Sequence, residues 1–241
     1  MEWHIKCDAS EIARYVFCPG DQQRARKIAG HFDAHHLVTE SRGYIVFSGE
    51  YKGIRMTVCG TGMGGPAVAI ALEELAHMGA DTFIRVGSCG VLQPGQKTGD
   101  VVVASGTVRM GGTGNAYLPP NYPAVPTFNV LRKLVESGEE QGIPVTVGVG
   151  SAGDAFYGPL RDPNLGSAHP VFVEMESDTL FIVGQVRGWR TGAIFASDGE
   201  PGKTKPESGE ADYRRGEENA IQVAIRAMWK LAEEDKKKEQ K

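Results

Sequence analysis

Thr82-Phe-Ile-Arg-Val-Gly-Ser-Cys-Gly90 is the stretch on which the reading of this chain turns. Residues 82–87 have the apolar run of a buried strand, and the small residues after it form a turn. In the middle of that run stands Arg85. A guanidinium cannot shed its charge, so burying it is costly unless an anion or an internal carboxylate partners it. Ser88 adds a hydroxyl and backbone N–H groups of the kind that grip phosphate oxygens.

Upstream, the apolar spacing predicts a strand at 14–18, a helix at 22–32 and two strands at 44–50 and 54–60. Glu50-Tyr51-Lys52-Gly53 joins those two strands as a hairpin turn. A glycine loop at 60–65 leads into a helix at 66–78, with Pro66 in its first turn. Downstream lie a strand at 100–105, an irregular Gly/Pro/Asn-rich excursion at 106–126, a helix at 127–141 and a strand at 144–149. After a loop to about 170 come a strand at 171–175, a helix at 177–187, a strand at 190–196, a polar loop at 199–209 and a helix at 210–234. The end of the chain, EEDKKKEQK, reads as a solvated, fraying tail. Alternating strands and helices imply an α/β fold in which helices cover a mostly parallel or mixed sheet. The expected organisation is one domain over 1–235 and a charged tail over 236–241.

The chain has 241 residues, 41% hydrophobic and 23% charged, in the range of an ordinary globular domain. Its 26 Lys and Arg against 30 Asp and Glu leave a net charge of -4, which gives no general basic field for nucleic acid. Any bound anion must therefore be held by a local cluster. Met1 to Ser10 carries Glu2, His4, Lys6 and Asp8 and does not read as a signal peptide. No stretch reaches the roughly 20 apolar residues of a membrane span, so no membrane partner is expected. Cys7, Cys18, Cys59 and Cys89 form no CxxC pair or metal spacing. Reduced thiols and a cytoplasmic location are the expectation, with a Cys18–Cys59 disulfide left open. His31 and His35, four apart on the expected helix, have the spacing of a metal pair but lack a third ligand. No metal is expected.

Gly60-Thr-Gly62-Met-Gly64-Gly65 fits the GxGxxG pattern of dinucleotide sites. Such a site needs an acidic residue about 20 positions on, at the end of the next strand. Here that strand ends in Val86-Gly87-Ser88, and Asp81 lies at its other end. The glycines fit better as a place where the backbone passes close to a strand or a ligand. Two further arginines sit where elements meet loops: Arg24, one turn after Pro19-Gly20-Asp21, and Arg42 in Glu40-Ser41-Arg42-Gly43.

Taken together, Pro19-Gly20-Asp21-x-x-Arg24, Arg42-Gly43, Gly62-x-Gly64-Gly65-Pro66, Arg85-Val86-Gly87-Ser88-Cys89-Gly90 and Glu174-Met175-Glu176 resemble the nucleoside phosphorylases of the trimeric or hexameric type. This group includes the purine nucleoside, methylthioadenosine and uridine phosphorylases, and the similarity runs over nearly the whole chain. The resemblance implies a mixed, distorted barrel-like sheet flanked by helices, in a homo-oligomer built as a hexamer from three dimers. It implies that Gly20, Arg24, Arg85 and Ser88 hold phosphate, with Arg42 supplied by the neighbouring subunit. His4 of that neighbour would reach the ribose 5′ end. Met175 and Glu176 would meet the ribose, and Phe156, Glu174, Arg161, Ser197 and Asp198 would surround the base. Asp198 matches the acid that protonates a purine N7, assisted by Arg214 or Arg215. Nucleoside and phosphate are the implied ligands, with phosphate as co-substrate and no cofactor.

Elementary chemistry agrees with that list. Cleaving a glycosidic bond develops positive charge on the sugar, which a nearby carboxylate such as Glu176 favours. A proton donor such as Asp198 spares the base from leaving as a bare anion. Asp198 lies near the end of a strand, where ligands collect in α/β sheets.

Uridine-specific members carry a Gln and an Arg after the Phe-Tyr of the base pocket, in a longer insertion. Phe156-Tyr157-Gly158-Pro159-Leu160-Arg161 has no such Gln, and Asp198 is present. The expectation is a purine nucleoside, such as inosine, guanosine, adenosine or methylthioadenosine. Uridine is the alternative, kept open by Arg161. Hydrolysis on the same scaffold, a dinucleotide-dependent oxidoreductase and a non-catalytic nucleoside-binding protein stand further off.

Overall fold

The computed structural model describes residues 2–157, 165–201 and 209–240. Among the described residues, nine strands and five α-helices alternate. In order they are β1 (Tyr15–Phe17), α1 (Gln22–Gly30), β2 (Ala34–Ser41), β3 (Tyr44–Tyr51), β4 (Ile54–Gly60), α2 (Gly65–His77), β5 (Thr82–Val91) and β6 (Val101–Arg109). There follow α3 (Phe128–Glu140), β7 (Val145–Ala152), β8 (Phe172–Glu174), α4 (Ser177–Arg187), β9 (Arg190–Gly199) and α5 (Glu210–Glu239).

The strands form a single sheet in the order β2-β3-β4-β1-β5-β8-β7-β6-β9, and β9 also pairs with β5. That extra pairing closes β5, β8, β7, β6 and β9 into a small barrel, from which β1, β4, β3 and β2 extend as a wing. β5 is the hinge of the arrangement, parallel to β1 on one side and to β9 on the other. Its residues therefore alternate between two apolar layers. Phe83 and Cys89 join Leu72, Leu75, Leu180 and Phe181 under α2 and α4. Ile84 and Val86 join Ala25, Ile28, Ile221 and Ala224 under α1 and α5. Burial of both layers supplies the driving force that positions everything at the strand ends.

Local chemistry explains the element ends. Asp21 caps α1 by accepting from the Gln23 N–H at 2.9 Å. The wing's two hairpins turn at Arg42-Gly43 and Lys52-Gly53, where all four residues have positive φ, the geometry of a two-residue hairpin turn. The second of these turns was expected. β2 was not, because as an edge strand it leaves Ala34 to Leu37 exposed and shows no clean apolar alternation. Its presence also corrects the reading of the histidine pair. His31 ends α1 and meets Glu218, whereas His35 lies on β2 against the Phe47 ring, so they share no helix face.

The polar end of the chain departs from expectation as well. α5 continues to Glu239, and Asp235 is buried, accepting from the Tyr15 hydroxyl at 3.0 Å and pairing with Arg190 at 2.6 Å. All four cysteines are free and buried, so the Cys18–Cys59 disulfide does not form. Among the described residues, no helix is long and apolar enough to cross a membrane.

Candidate active site

Arg85 emerges from the centre of β5 toward α4 and is 4% exposed. Its Nε donates to Glu174 Oε2 at 2.9 Å, and its Nη2 donates to Glu176 Oε2. The strand accommodates this fold-back because the next residue on the same face, Gly87, has no Cβ. One placed there would lie 3.1 Å from Arg85 Nη2. The Phe195 ring closes another side, its centroid 5.8 Å from the guanidinium carbon. Burial alone would lower the Arg85 pKa, but Glu176 and Glu174 outweigh it and hold the pKa raised. The third nitrogen, Nη1, is buried and has no hydrogen-bond partner among the described residues. It lies beside Gly20, 3.6 Å from where a Cβ would stand. A buried guanidinium nitrogen left open against bare backbone is a natural contact for an anion.

Glu174 and Glu176 have different duties. Glu174 ends β8, and besides Arg85 it accepts from the backbone N–H groups of Glu176 and Ser177 and from the Ser177 hydroxyl at 2.7–3.0 Å. It thus satisfies the open N–H groups at the start of α4 and locks the guanidinium to that helix. Glu176, at the cap position, accepts from the Gly64 N–H at 2.5 Å and from Arg85. Burial raises the Glu176 pKa, Arg85 pulls it down, and the Glu174 charge pushes it up again. Gly64 adopts a φ of 94°, which side chains rarely tolerate, so the glycine loop serves to aim an N–H at this carboxylate. Met175 is half-buried between the two glutamates.

From the other face of β5 comes Arg24, also 4% exposed. Its Nε donates to Glu217 at 2.7 Å, its Nη2 to the Tyr213 hydroxyl at 2.6 Å and its Nη1 to the Val86 carbonyl at 3.3 Å. Burial would raise the Glu217 pKa, but Lys27 and Arg24 more than offset it and hold the carboxyl below its ordinary value. The two arginines thus reach adjacent residues of one strand, with half-buried Ser88 just beyond.

β9 brings in a further carboxyl, Asp198. Cys89 pairs with Ser197 but Gly90 with Gly199, so Asp198 is the extra residue of a β-bulge. A bulge re-aims a side chain that regular pairing would commit to one face. Asp198 is half-buried. Its neighbour Ser197 is engaged elsewhere: its hydroxyl donates to the Lys97 carbonyl and accepts from the Asp100 N–H at 3.1 Å. Phe156 lies after β7, 59% exposed and edge-on to Tyr157. Arg161 lies outside the described residues.

Two expected contributors stand apart within this chain. His4 is anchored on Glu74, nine residues along α2 from Gly65, roughly 13 Å of helix rise away from the Gly64–Glu176 contact. Arg42 is exposed at the β2–β3 turn and takes no ion pair among the described residues. Arg214 and Arg215 are surface residues, paired with Glu210 at 2.5 Å and Asp212 at 2.8 Å on their own helix. It is Tyr213, the residue just before them, that turns inward to meet Arg24.

Sequence reasoning missed Tyr213, Glu217 and Glu74. Glu217 carried a readable signal: it sits on the stripe of Ala220, Ile221 and Ala224, where a carboxylate requires a buried cation.

A family model described as the phosphorylase superfamily matches residues 14–230. A uridine phosphorylase of Thermococcus kodakarensis is 38% identical, over 99% of this chain and 90% of its own length. One of Treponema pallidum is 39% identical, over 97% of this chain and 95% of its own. A Toxoplasma gondii purine nucleoside phosphorylase, solved in complex with immucillin-H, superimposes with a TM-score of 0.89 at 30% identity, covering 96% of both chains. The chain belongs to the phosphorylase superfamily and, within it, to the nucleoside phosphorylases.

Proposed function

We propose that this phosphate-dependent pentosyltransferase acts on uridine, releasing uracil and ribose 1-phosphate. One observation carries the phosphorolytic reading: Arg85 holds Glu176 with one nitrogen, while a second, without a partner among the described residues, lies beside Gly20. A phosphate at that nitrogen lies next to the carboxylate that faces the sugar. In the reaction a phosphate oxygen bonds to C1′ as the C1′–N bond breaks, and that electron pair leaves with the base. Glu176 accepts hydrogen bonds from the ribose hydroxyls and favours the positive charge that develops on the ring. In this reading phosphate is a co-substrate and no cofactor takes part.

The choice of uridine rests on the two relatives at 38% and 39% identity, both uridine phosphorylases. This reverses the preference for a purine drawn from the sequence. The purine reading survives on one observation, the Asp198 carboxyl on its bulge, which suits protonation of a purine N7. Release of free base from uridine, inosine, guanosine and adenosine, each with and without phosphate, separates the readings. Phosphate-dependent cleavage of uridine supports the first; cleavage of purine nucleosides alone replaces it with the second.

The site's own charges argue for a second copy. Arg24, Lys27 and Arg85 are matched by Glu174, Glu176 and Glu217, so the cluster has no net positive charge to offer a phosphate dianion. Arg42 of a neighbouring copy supplies the missing cation in this reading, within a hexamer made of dimers that share sites. Trp3 and Met63, 83% and 81% exposed, are the kind of apolar residues such an interface covers. Four unpaired cysteines suit a reducing compartment, and we place the enzyme in the cytoplasm.

A further inference from the structure

Glu74 is a carboxylate buried in α2, 7% exposed, with no arginine or lysine paired to it among the described residues. Instead it grips the chain's N-terminal arm. Its oxygens accept from the His4 N–H at 3.1 Å and the Ile5 N–H at 2.7 Å, and Oε1 lies 2.6 Å from the His4 ring nitrogen Nδ1. Burial pushes the Glu74 pKa up, but the bonds from Ile5 and His4 outweigh it and hold the carboxyl below its ordinary value. On the arm's inner side, fully buried Ile5 fixes the backbone, and the Tyr44 ring meets the imidazole edge-on at 6.4 Å. The imidazole itself remains one-third exposed.

We propose that Glu74 is a positioning residue for the nucleoside's 5′ end, acting by selecting the tautomer of His4. An ionised carboxylate is acceptor-only, so the imidazole must place its proton on Nδ1 to bond with it. In its neutral form the ring then presents Nε2 as a lone-pair acceptor. His4 cannot reach Glu176 of its own chain, so this acceptor serves the ribose 5′-hydroxyl in a neighbouring copy, which donates its proton to Nε2. The inference rests on the shared-site reading above and adds to it the residue, the atom and the direction of the hydrogen bond. It also makes the 5′-hydroxyl a recognised feature of the substrate, because an acceptor left facing a 5′-deoxy sugar has no partner.

The test uses the whole enzyme with uridine and 5′-deoxyuridine, or the matching purine pair if purines prove to be the substrates. Imidazole ¹⁵N shifts of the unaltered protein should show His4 protonated at Nδ1, whatever any variant does. Glu74→Gln, which offers one acceptor oxygen in place of two, should abolish that single-tautomer signature. It should raise KM for uridine about tenfold, the scale of one hydrogen bond, while leaving KM for 5′-deoxyuridine and kcat nearly unchanged. Protonation at Nε2 in the unaltered protein, or an unchanged KM ratio in Glu74→Gln, overturns the inference. Should Glu74→Gln fail to fold, the tautomer of the unaltered protein still decides. His4→Ala separates the two levels. If it leaves the KM ratio untouched, the shared-site role of His4 fails and the proposal fails with it. If it collapses the ratio while Glu74→Gln does not, the inference about Glu74 is overturned and the shared-site reading stands.

Discussion

Arg24 and Glu217 meet at 2.7 Å between α1 and α5, with both side chains 4% exposed. The pair ties the last helix to the first and sets the plane in which Arg24 offers its remaining nitrogens to Tyr213 and to Val86 of β5. Removing either partner leaves a buried charge without its counterpart, and such losses are typically several kcal/mol.

Glu217→Ala is therefore expected to lower stability by about 3–5 kcal/mol and to weaken phosphate binding. Glu217→Gln keeps one acceptor and should fold better. In that variant KM for phosphate should rise while KM for the nucleoside changes little. Steady-state kinetics with each substrate varied in turn gives the comparison, and equal changes in both constants would contradict a role confined to Arg24.

Glu176→Gln keeps the shape but removes the charge that, in the proposed reading, faces the sugar. The turnover number should fall by about 10²-fold or more, the scale of losing a preorganised electrostatic group. Phosphate affinity, measured by calorimetry, should persist because Glu174 still anchors Arg85. Unchanged turnover removes Glu176 from the chemistry.

Asp198→Asn discriminates the two substrate readings within one protein. With a purine nucleoside it should slow cleavage by about 10²-fold, as expected for loss of a general acid. With uridine the effect should be small, because no N7 is protonated. Parallel rates with inosine and uridine decide which pattern holds.

Asp178, in the first turn of α4, is 1% exposed, and its Oδ2 has no hydrogen-bond partner among the described residues. Burial, with Glu174 adding to it, pushes its pKa up to about 6. The native state therefore binds this proton more tightly than the unfolded chain does. Stability from this group is full below about pH 4 and is lost as pH rises through about 6. Asp178→Asn should accordingly be more stable than the parent at pH 7.5, with the gap closing on acidification below pH 6. Melting temperatures across that range test it, and a gap independent of pH would count against the assignment.

Much of the fold was legible because apolar spacing and turn chemistry are local. Strand-helix alternation, the Lys52-Gly53 hairpin turn, the glycine loop and the helix after Pro66 all read from neighbouring residues. β2 was not legible, since an exposed edge strand carries little apolar pattern. The extension of α5 past residue 234 was hidden because Asp235 looks like part of a charge run until Tyr15 and Arg190 are found beside it. Neither partner is near it in sequence.

At the site, Arg85 announced itself, because a charge inside an apolar strand demands a partner. That demand follows from residue type and position alone, and it was the sequence's contribution to the chemistry. Which partner answers it was a tertiary decision: Glu174 and Glu176 arrive from about 90 positions away, once β8 pairs with β5. The same holds for Glu217 on Arg24 and Glu74 on His4. Which cation each carboxylate meets is fixed only after the sheet closes, since electrostatic partnership depends on distance in space, and only chain closure converts sequence separation into contact.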